Sequence, residues 1–111
     1  MDASFPKSER LCGKKAVEAL FERGKVFQAG CLRCRCLLRE DTEPCRIVVS
    51  VPKRHFKRAV KRNLLKRRIR ESYRRQKPVG GADLLFIYTS REVLPYETIY
   101  DDMTRVLEAM R

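Results

Sequence analysis

The apolar positions of this chain change period several times, and each change marks an element. Between Lys14 and Arg23, Ala16, Val17, Leu20 and Phe21 recur at steps of three and four, which predicts a short helix that Gly24 stops. Lys25 to Gln28 is weakly strand-like. From Cys31 to Arg39 the period falls to two. Leu32, Cys34, Cys36 and Leu38 point one way, and Cys31, Arg33, Arg35, Leu37 and Arg39 the other, a strand with one buried and one largely basic face. Glu40 to Pro44 reads as a polar turn and Cys45 to Val51 as a second, more apolar strand, so the pair is expected to form a hairpin. Pro52, with no N–H to give a ladder, ends that strand, and Lys53 to Lys57 lead onward.

The next helix is expected to reach about Gln76. Leu65, Ile69, Ser72 and Tyr73 share a face that can pack on a core, with Val60 and Leu64 widening it. Ala59, Asn63, Lys66, Arg67, Arg70 and Arg74 share another. Pro78, Gly80 and Gly81 force a loop, after which Asp83 to Thr89 is a continuous apolar run, the pattern of a strand buried on both faces. Beyond Pro95, the positions Tyr96, Ile99, Tyr100, Met103, Val106, Leu107 and Met110 keep helical spacing, with Glu97, Asp101 and Asp102 early, where the helix dipole favours acids. Residues 1–10 read as a loose leader. The order α-β-β-α-β-α, with an extra short strand near 25–28, predicts one α+β domain over residues 1–111: a small sheet with helices packed on it.

Charge changes this picture most. The stretch from Lys53 to Lys77 holds 13 of the chain's 26 Lys and Arg residues but only one of its 14 acids, Glu71. It therefore carries the whole net charge of +12, and the remainder is balanced, 13 against 13. Basicity confined to one helix face argues for a polyanion-binding surface rather than general solubility, because a merely soluble helix mixes signs. Like charges at these spacings destabilise an isolated helix by a few tenths of a kcal/mol per pair, a cost that an arriving anion relieves. The Arg content suits phosphate, which guanidinium groups grip in forked pairs.

Other chemistry is sparse. Five cysteines, an odd number, follow an N-terminus without the apolar core of a secretory signal, so a disulfide framework is not expected. Cys31, Cys34 and Cys36 give C-x2-C-x-C, but structural zinc wants four ligands, usually in separated pairs, and a strand would make Cys34 and Cys36 small core residues. The longest apolar run, Leu84 to Tyr88, is too short to span a bilayer, and a soluble cytoplasmic protein is expected. His55 is the only histidine, with no nucleophile or orienting acid near it in sequence. The acids form no spaced pair, and neither GxxxxGK[ST] nor GxGxxG is present. A binding protein follows, with no catalytic side chain and no metal ligands of its own.

At Val51 to Glu71, VPKRHFKRAVKRNLLKRRIRE resembles the protein subunit of bacterial ribonuclease P. That family carries V-[SP]-K-[KR] at a strand end and A-V-x-R-N-x-x-K-R-x-x-R on the following helix. Matching positions here are Val51, Pro52, Lys53, Arg54, Ala59, Val60, Arg62, Asn63, Lys66, Arg67 and Arg70, and the likeness extends to Arg10-Leu11, to Phe21–Gly24 and to the last strand and helix. The resemblance implies a single-domain α+β sandwich with a small mixed sheet, a ribosomal-protein-like fold with a left-handed βαβ crossover. Its partner would be the ribonuclease P RNA, which would hold the Mg2+ and cleave precursor tRNA at the 5′ end of the mature sequence. Arg62, Asn63, Lys66, Arg67 and Arg70, with Arg74 on the same face, would contact that RNA. Val17, Phe21, Arg33, Arg35, Lys53 and Arg54 would guide the 5′ leader along a cleft between the first helix and the sheet. No membrane and no protein partner is implied.

Three departures stand out. Leu64 replaces an Arg of the family's usual R-N-R, Val17 stands where an aromatic residue is common, and Arg33 and Arg35 replace an apolar and an aromatic residue. Leader binding is therefore expected to lean on phosphate contacts more than on base stacking. Single-stranded RNA tracks a positive groove, and about five phosphate contacts give a log–log salt slope near −3.5 to −4.5. Composition alone would favour a ribosomal or other structural RNA-binding protein of similar fold. A DNA-binding reading would need a helix-turn-helix or a dimer, and the sequence shows neither.

Overall fold

The computed structural model describes residues 14–39, 45–76 and 81–110. The expected leader over 1–10, the turn over 40–44, Pro78 and Gly80 of the following loop, and the side chain of Ala16 lie outside the described residues. Within them the order is α1 (Lys14–Arg23), β1 (Lys25–Ala29), β2 (Leu32–Leu38), β3 (Arg46–Ser50), α2 (Ala59–Arg74), β4 (Ala82–Tyr88) and α3 (Tyr96–Ala109). The weak strand signal at 25–28 is thus a real strand.

The four strands form one mixed sheet in the order β1-β2-β4-β3. β1 and β2 are antiparallel, as are β2 and β4, whereas β3 and β4 are parallel and are joined through α2. This corrects the expected hairpin between the second and third strands: β4 lies between them. The reason is burial. β4 is the most apolar strand, every residue in it but Ile87 is buried, and a strand covered on both faces takes the centre of a sheet.

Register sorts the side chains into two faces. Across the sheet, Phe27, Cys34, Phe86 and Val49 form one row, and Cys36, Leu84 and Ile47 the next. This face meets Leu65, Ile69 and Tyr73 of α2 and Ile99, Met103, Val106 and Leu107 of α3 in the main core. α2 lands its apolar stripe where the sequence placed it, with Leu65, Ile69, Ser72 and Tyr73 buried. Val60 does not widen that stripe. It is 79% exposed, and Leu64 is only half-buried. Leu38, expected inward, is 77% exposed at the end of β2.

On the opposite face, Val26, Arg35, Leu85 and Val48 share a row, flanked by Gln28, Arg33, Ile87 and Ser50 on one side and Leu37, Asp83 and Arg46 on the other. α1 packs here: Leu20 is fully buried against Leu85, with Val17, Leu37, Val48 and Ile87 around it. Asp83 is buried and held by a forked pair with Arg46 at 2.8 and 2.7 Å, with Arg39 3.6 Å away, so part of the basic face neutralises one carboxylate.

Two residues differ in role from their expected places. Cys31 precedes β2 and is buried in the β1–β2 turn, where its backbone N–H donates to Asp102 Oδ2 at 2.9 Å. Asp102 is not a surface acid favoured by the dipole. It is buried, caps that turn, and accepts a second contact from Arg105 at 3.1 Å.

Candidate nucleic-acid interface

Four groups of polar side chains stand out among the described residues, the first on the outer face of α2. Because Leu65, Ile69, Ser72 and Tyr73 fix the helix phase, Asn63 and Arg67 are exposed and Lys66 and Arg70 partly so. The side chains of these four make no hydrogen bond or ion pair with another described residue. An unpaired cationic row at helical spacing is a phosphate-binding edge.

The two ends of that row differ. Arg62 donates through Nη1 to the carbonyls of Phe56 and Lys57, at 2.7 and 2.9 Å. It thereby pins the turn that feeds α2, a structural task the sequence did not reveal. Arg74 donates to Glu71 at 3.0 and 2.6 Å, and Arg75 shares the same carboxylate at 3.0 Å. Hydrogen bonds from Arg74 and then Arg75 hold the Glu71 carboxyl down at about 2. Of the six residues expected to meet an RNA subunit, Arg74 alone is tied to a carboxylate among the described residues.

The second surface is the groove beside α1. The Arg35 guanidinium lies 4.8 Å from the centre of the Phe21 ring, and its Nη1 donates to the Phe21 carbonyl at 3.4 Å. Phe21 is 51% exposed, so an aromatic side chain open to solvent lies beside a cation. Arg33 lies one row along, its Nε donating to Gln28 at 3.2 Å, and Val17 supports the groove from the small core beneath α1. Val17, Phe21 and Arg35 are thus assembled in one place with Arg33 adjoining.

Lys53 and Arg54 are exposed in the turn after β3. Arg54 lines a separate open cavity of about 370 Å³ with His55 and Arg91, the last from the loop after β4. Sequence reading missed Arg91, which lies far along the chain from the basic segment. The fourth group, the thiols, lies largely inside: burial raises Cys34 and Cys36 and pushes Cys31 up to about 12, and Cys34 Sγ rests 3.8 Å from Met110 Sδ. Among the described residues no group of three or more His, Cys, Asp or Glu side chains could hold a metal ion, and no helix is long and apolar enough to cross a membrane.

A small mixed sheet that presents a braced, unpaired cationic helix defines a class, the compact α+β proteins built to lie against RNA. Comparison with known proteins narrows it. The family model described as Ribonuclease P matches residues 5–111. A "Ribonuclease P protein component" of Porphyromonas gingivalis is 33% identical over 112 residues, covering 91% of this chain and 82% of that protein. The protein of the same name from Picosynechococcus is 32% identical over 107 residues, covering 93% and 90%. Among solved structures, the RNase P protein of Staphylococcus aureus superposes with a TM-score of 0.82 at 20% identity over 95% of this chain and 97% of that one. The Thermotoga maritima RNase P protein gives 0.81 at 23% identity over 93% and 98%. The chain belongs to the ribonuclease P protein family.

Proposed function

We propose that this chain serves ribonuclease P as its RNA-gripping protein subunit, partnered with the ribonuclease P RNA, and that it helps remove the 5′ leader of precursor tRNA. The observation that carries the proposal is the row Asn63, Lys66, Arg67 and Arg70, fixed outward by a buried back and unpaired among the described residues. That row lies along the RNA subunit, while the Phe21–Arg35 groove receives the leader. The guanidinium offers a phosphate contact and the exposed ring a surface for a base. Bringing two RNA polyanions together is costly, and a surface of this charge lowers that cost.

Magnesium belongs in this reading to the RNA. What the chain itself does is bind, orient and screen. The ribosomal-protein alternative has no observation in its favour beyond basicity. The deciding experiment adds purified protein to a cognate ribonuclease P RNA and precursor tRNA at low magnesium. Restored 5′ cleavage is expected. No stimulation by a folded protein, with RNA that is active at high magnesium, refutes the proposal.

A further inference from the structure

α2 has to hold its cations at one angle to the rest of the chain, and its apolar back does that only coarsely, because apolar contact has no preferred direction. The helix begins with no side-chain cap and no acid in its first turn. Arg62 ties its entrance only to Phe56 and Lys57, in the turn that moves with it. Two side chains reach further. Arg68 donates to the carbonyl of Leu94, just before α3, and Gln76, the residue after the Arg75 C-cap, reaches α3 itself.

The contact at Gln76 is a closed clamp. Its Nε2 donates to the Ser72 carbonyl of the buried stripe at 3.4 Å and to the Tyr100 carbonyl of α3 at 3.3 Å. The Thr104 hydroxyl, one turn on from Tyr100, donates to Gln76 Oε1 at 2.6 Å and lies 3.0 Å from the same Tyr100 carbonyl. Carbonyls only accept, so the amide has one workable orientation, nitrogen to the two carbonyls and oxygen to the hydroxyl. Gln76, Tyr100 and Thr104 are all half-buried, which partly shields these bonds from competing water. Hydrogen bonds weaken steeply with angle, so the clamp resists small rotations that the apolar stripe tolerates.

Small rotations matter at the cationic edge. Asn63 lies about 16 Å along the axis from Arg74 at 1.5 Å per residue, so a tilt of about 10° at the clamped end carries it about 3 Å. A turn of about 20° around the axis carries a side chain on the helix rim about 2 Å. Either displacement exceeds the tolerance of a forked phosphate contact.

We infer that Gln76 and Thr104 are positioning residues for RNA recognition: by clamping the exit of α2 to α3 they set the angle at which Asn63, Lys66, Arg67 and Arg70 are presented. The inference rests on the function proposed above. Neither side chain is charged, so breaking the clamp separates two effects that a lost cation would move together. General attraction to a polyanion, which depends on charge, persists, whereas the fitted complex weakens.

Thr104→Val removes the hydroxyl at nearly constant shape, Thr104→Ser keeps it, and Gln76→Met removes the amide at nearly constant length. Circular dichroism and thermal melting establish which variants are folded at the assay temperature. Each is titrated by fluorescence anisotropy against a cognate ribonuclease P RNA and against an unrelated RNA of the same length. In Thr104→Val and Gln76→Met, lost alignment equal to one phosphate contact weakens the cognate complex by about four- to fivefold at 0.15 M salt relative to 1 M, while the unrelated RNA stays within about twofold of wild type. Thr104→Ser restores cognate binding. Wild-type cognate affinity in a folded Thr104→Val or Gln76→Met, an equal loss on both RNAs, or no rescue by Thr104→Ser overturns the inference. Unfolding of both Thr104→Val and Gln76→Met also overturns it, because the clamp would then serve stability alone. Failure of the parent proposal shows separately, as wild-type protein that stimulates no cleavage and binds the two RNAs alike.

Discussion

Replacing Lys66, Arg67 and Arg70 together by Gln tests the central surface with little risk to the fold. None of the three bonds to another described residue, and the buried stripe of Leu65, Ile69 and Tyr73 is untouched. Lys66 with Arg70 and Arg67 with Arg70 are like-charged pairs at helical spacing, and losing each relieves a few tenths of a kcal/mol. The melting temperature should therefore hold or rise slightly. Binding should behave otherwise. Removing three phosphate interactions lowers the log–log salt slope by about 2 to 2.7. Taking 1 M salt as the point where counterion release no longer contributes, that difference weakens the complex by about 50- to 170-fold at 0.15 M. Fluorescence anisotropy with a cognate ribonuclease P RNA, run from 0.1 to 1 M salt, reads both numbers. A folded triple variant that binds within twofold of wild type at 0.15 M, with an unchanged slope, would mean that this face does not meet the RNA.

Three further outcomes follow from other contacts. Arg35→Ala should weaken long-leader precursor more than one-nucleotide-leader precursor and flatten the salt slope of the leader-dependent part by about one contact, since Arg35 supplies the cation beside Phe21. Equal losses for both precursors would place Arg35 outside the leader path. Glu71→Gln should tighten RNA-subunit binding by releasing Arg74 and Arg75, as read by the same anisotropy titration. Glu71 also sets a pH dependence. Its carboxyl is held at about 2 in the folded chain, below its ordinary 4.5, so its contribution is present above about pH 4.5 and fades as pH falls towards 2. Glu71→Gln should flatten that part of the stability profile, by a modest amount because the pair is solvent-screened. Gly30→Ala should cost about 2 kcal/mol or more in a denaturant melt, because Gly30 has φ +54 and an added Cβ would strike the Asp102 carboxylate that caps the turn.

What the chain disclosed locally and what it withheld divide along physical lines. Helix phase is a local quantity. Once Leu65, Ile69, Ser72 and Tyr73 are recognised as one stripe, the outward direction of Asn63, Lys66, Arg67 and Arg70 follows without any tertiary information, and the structure agrees. Glu71 with Arg74 and Arg75 is equally local, at three and four residues. Strand pairing is not. Proximity in sequence suggested that the second and third strands pair, but a run as apolar as Leu84 to Tyr88 needs a neighbour on each edge. Its edges are taken by β2 and β3, with β1 beyond β2, so it separates the two strands expected to pair. Which strands flank it is a tertiary choice that proximity in sequence does not set.

The same distinction explains which polar residues were misplaced. Asp102 looked like one more acid in the first turns of a helix because its partner, the Cys31 N–H, is 71 residues away. Arg91 carried no signal at all, since a lone arginine in a loop joins Arg54 and His55 only if β3 and β4 are parallel neighbours. Arg62 could be read as part of the cationic row, yet not as the donor that fixes the turn before α2. That double duty has a consequence for mutagenesis. Arg62→Ala removes two hydrogen bonds at the entrance to the helix, so reduced RNA affinity in that variant would mix a displaced helix with a missing contact. Arg67→Ala, which touches no described partner, reports the contact alone. A larger affinity loss in Arg62→Ala than in Arg67→Ala, accompanied by a lower melting temperature, is the signature of the turn rather than of the phosphate.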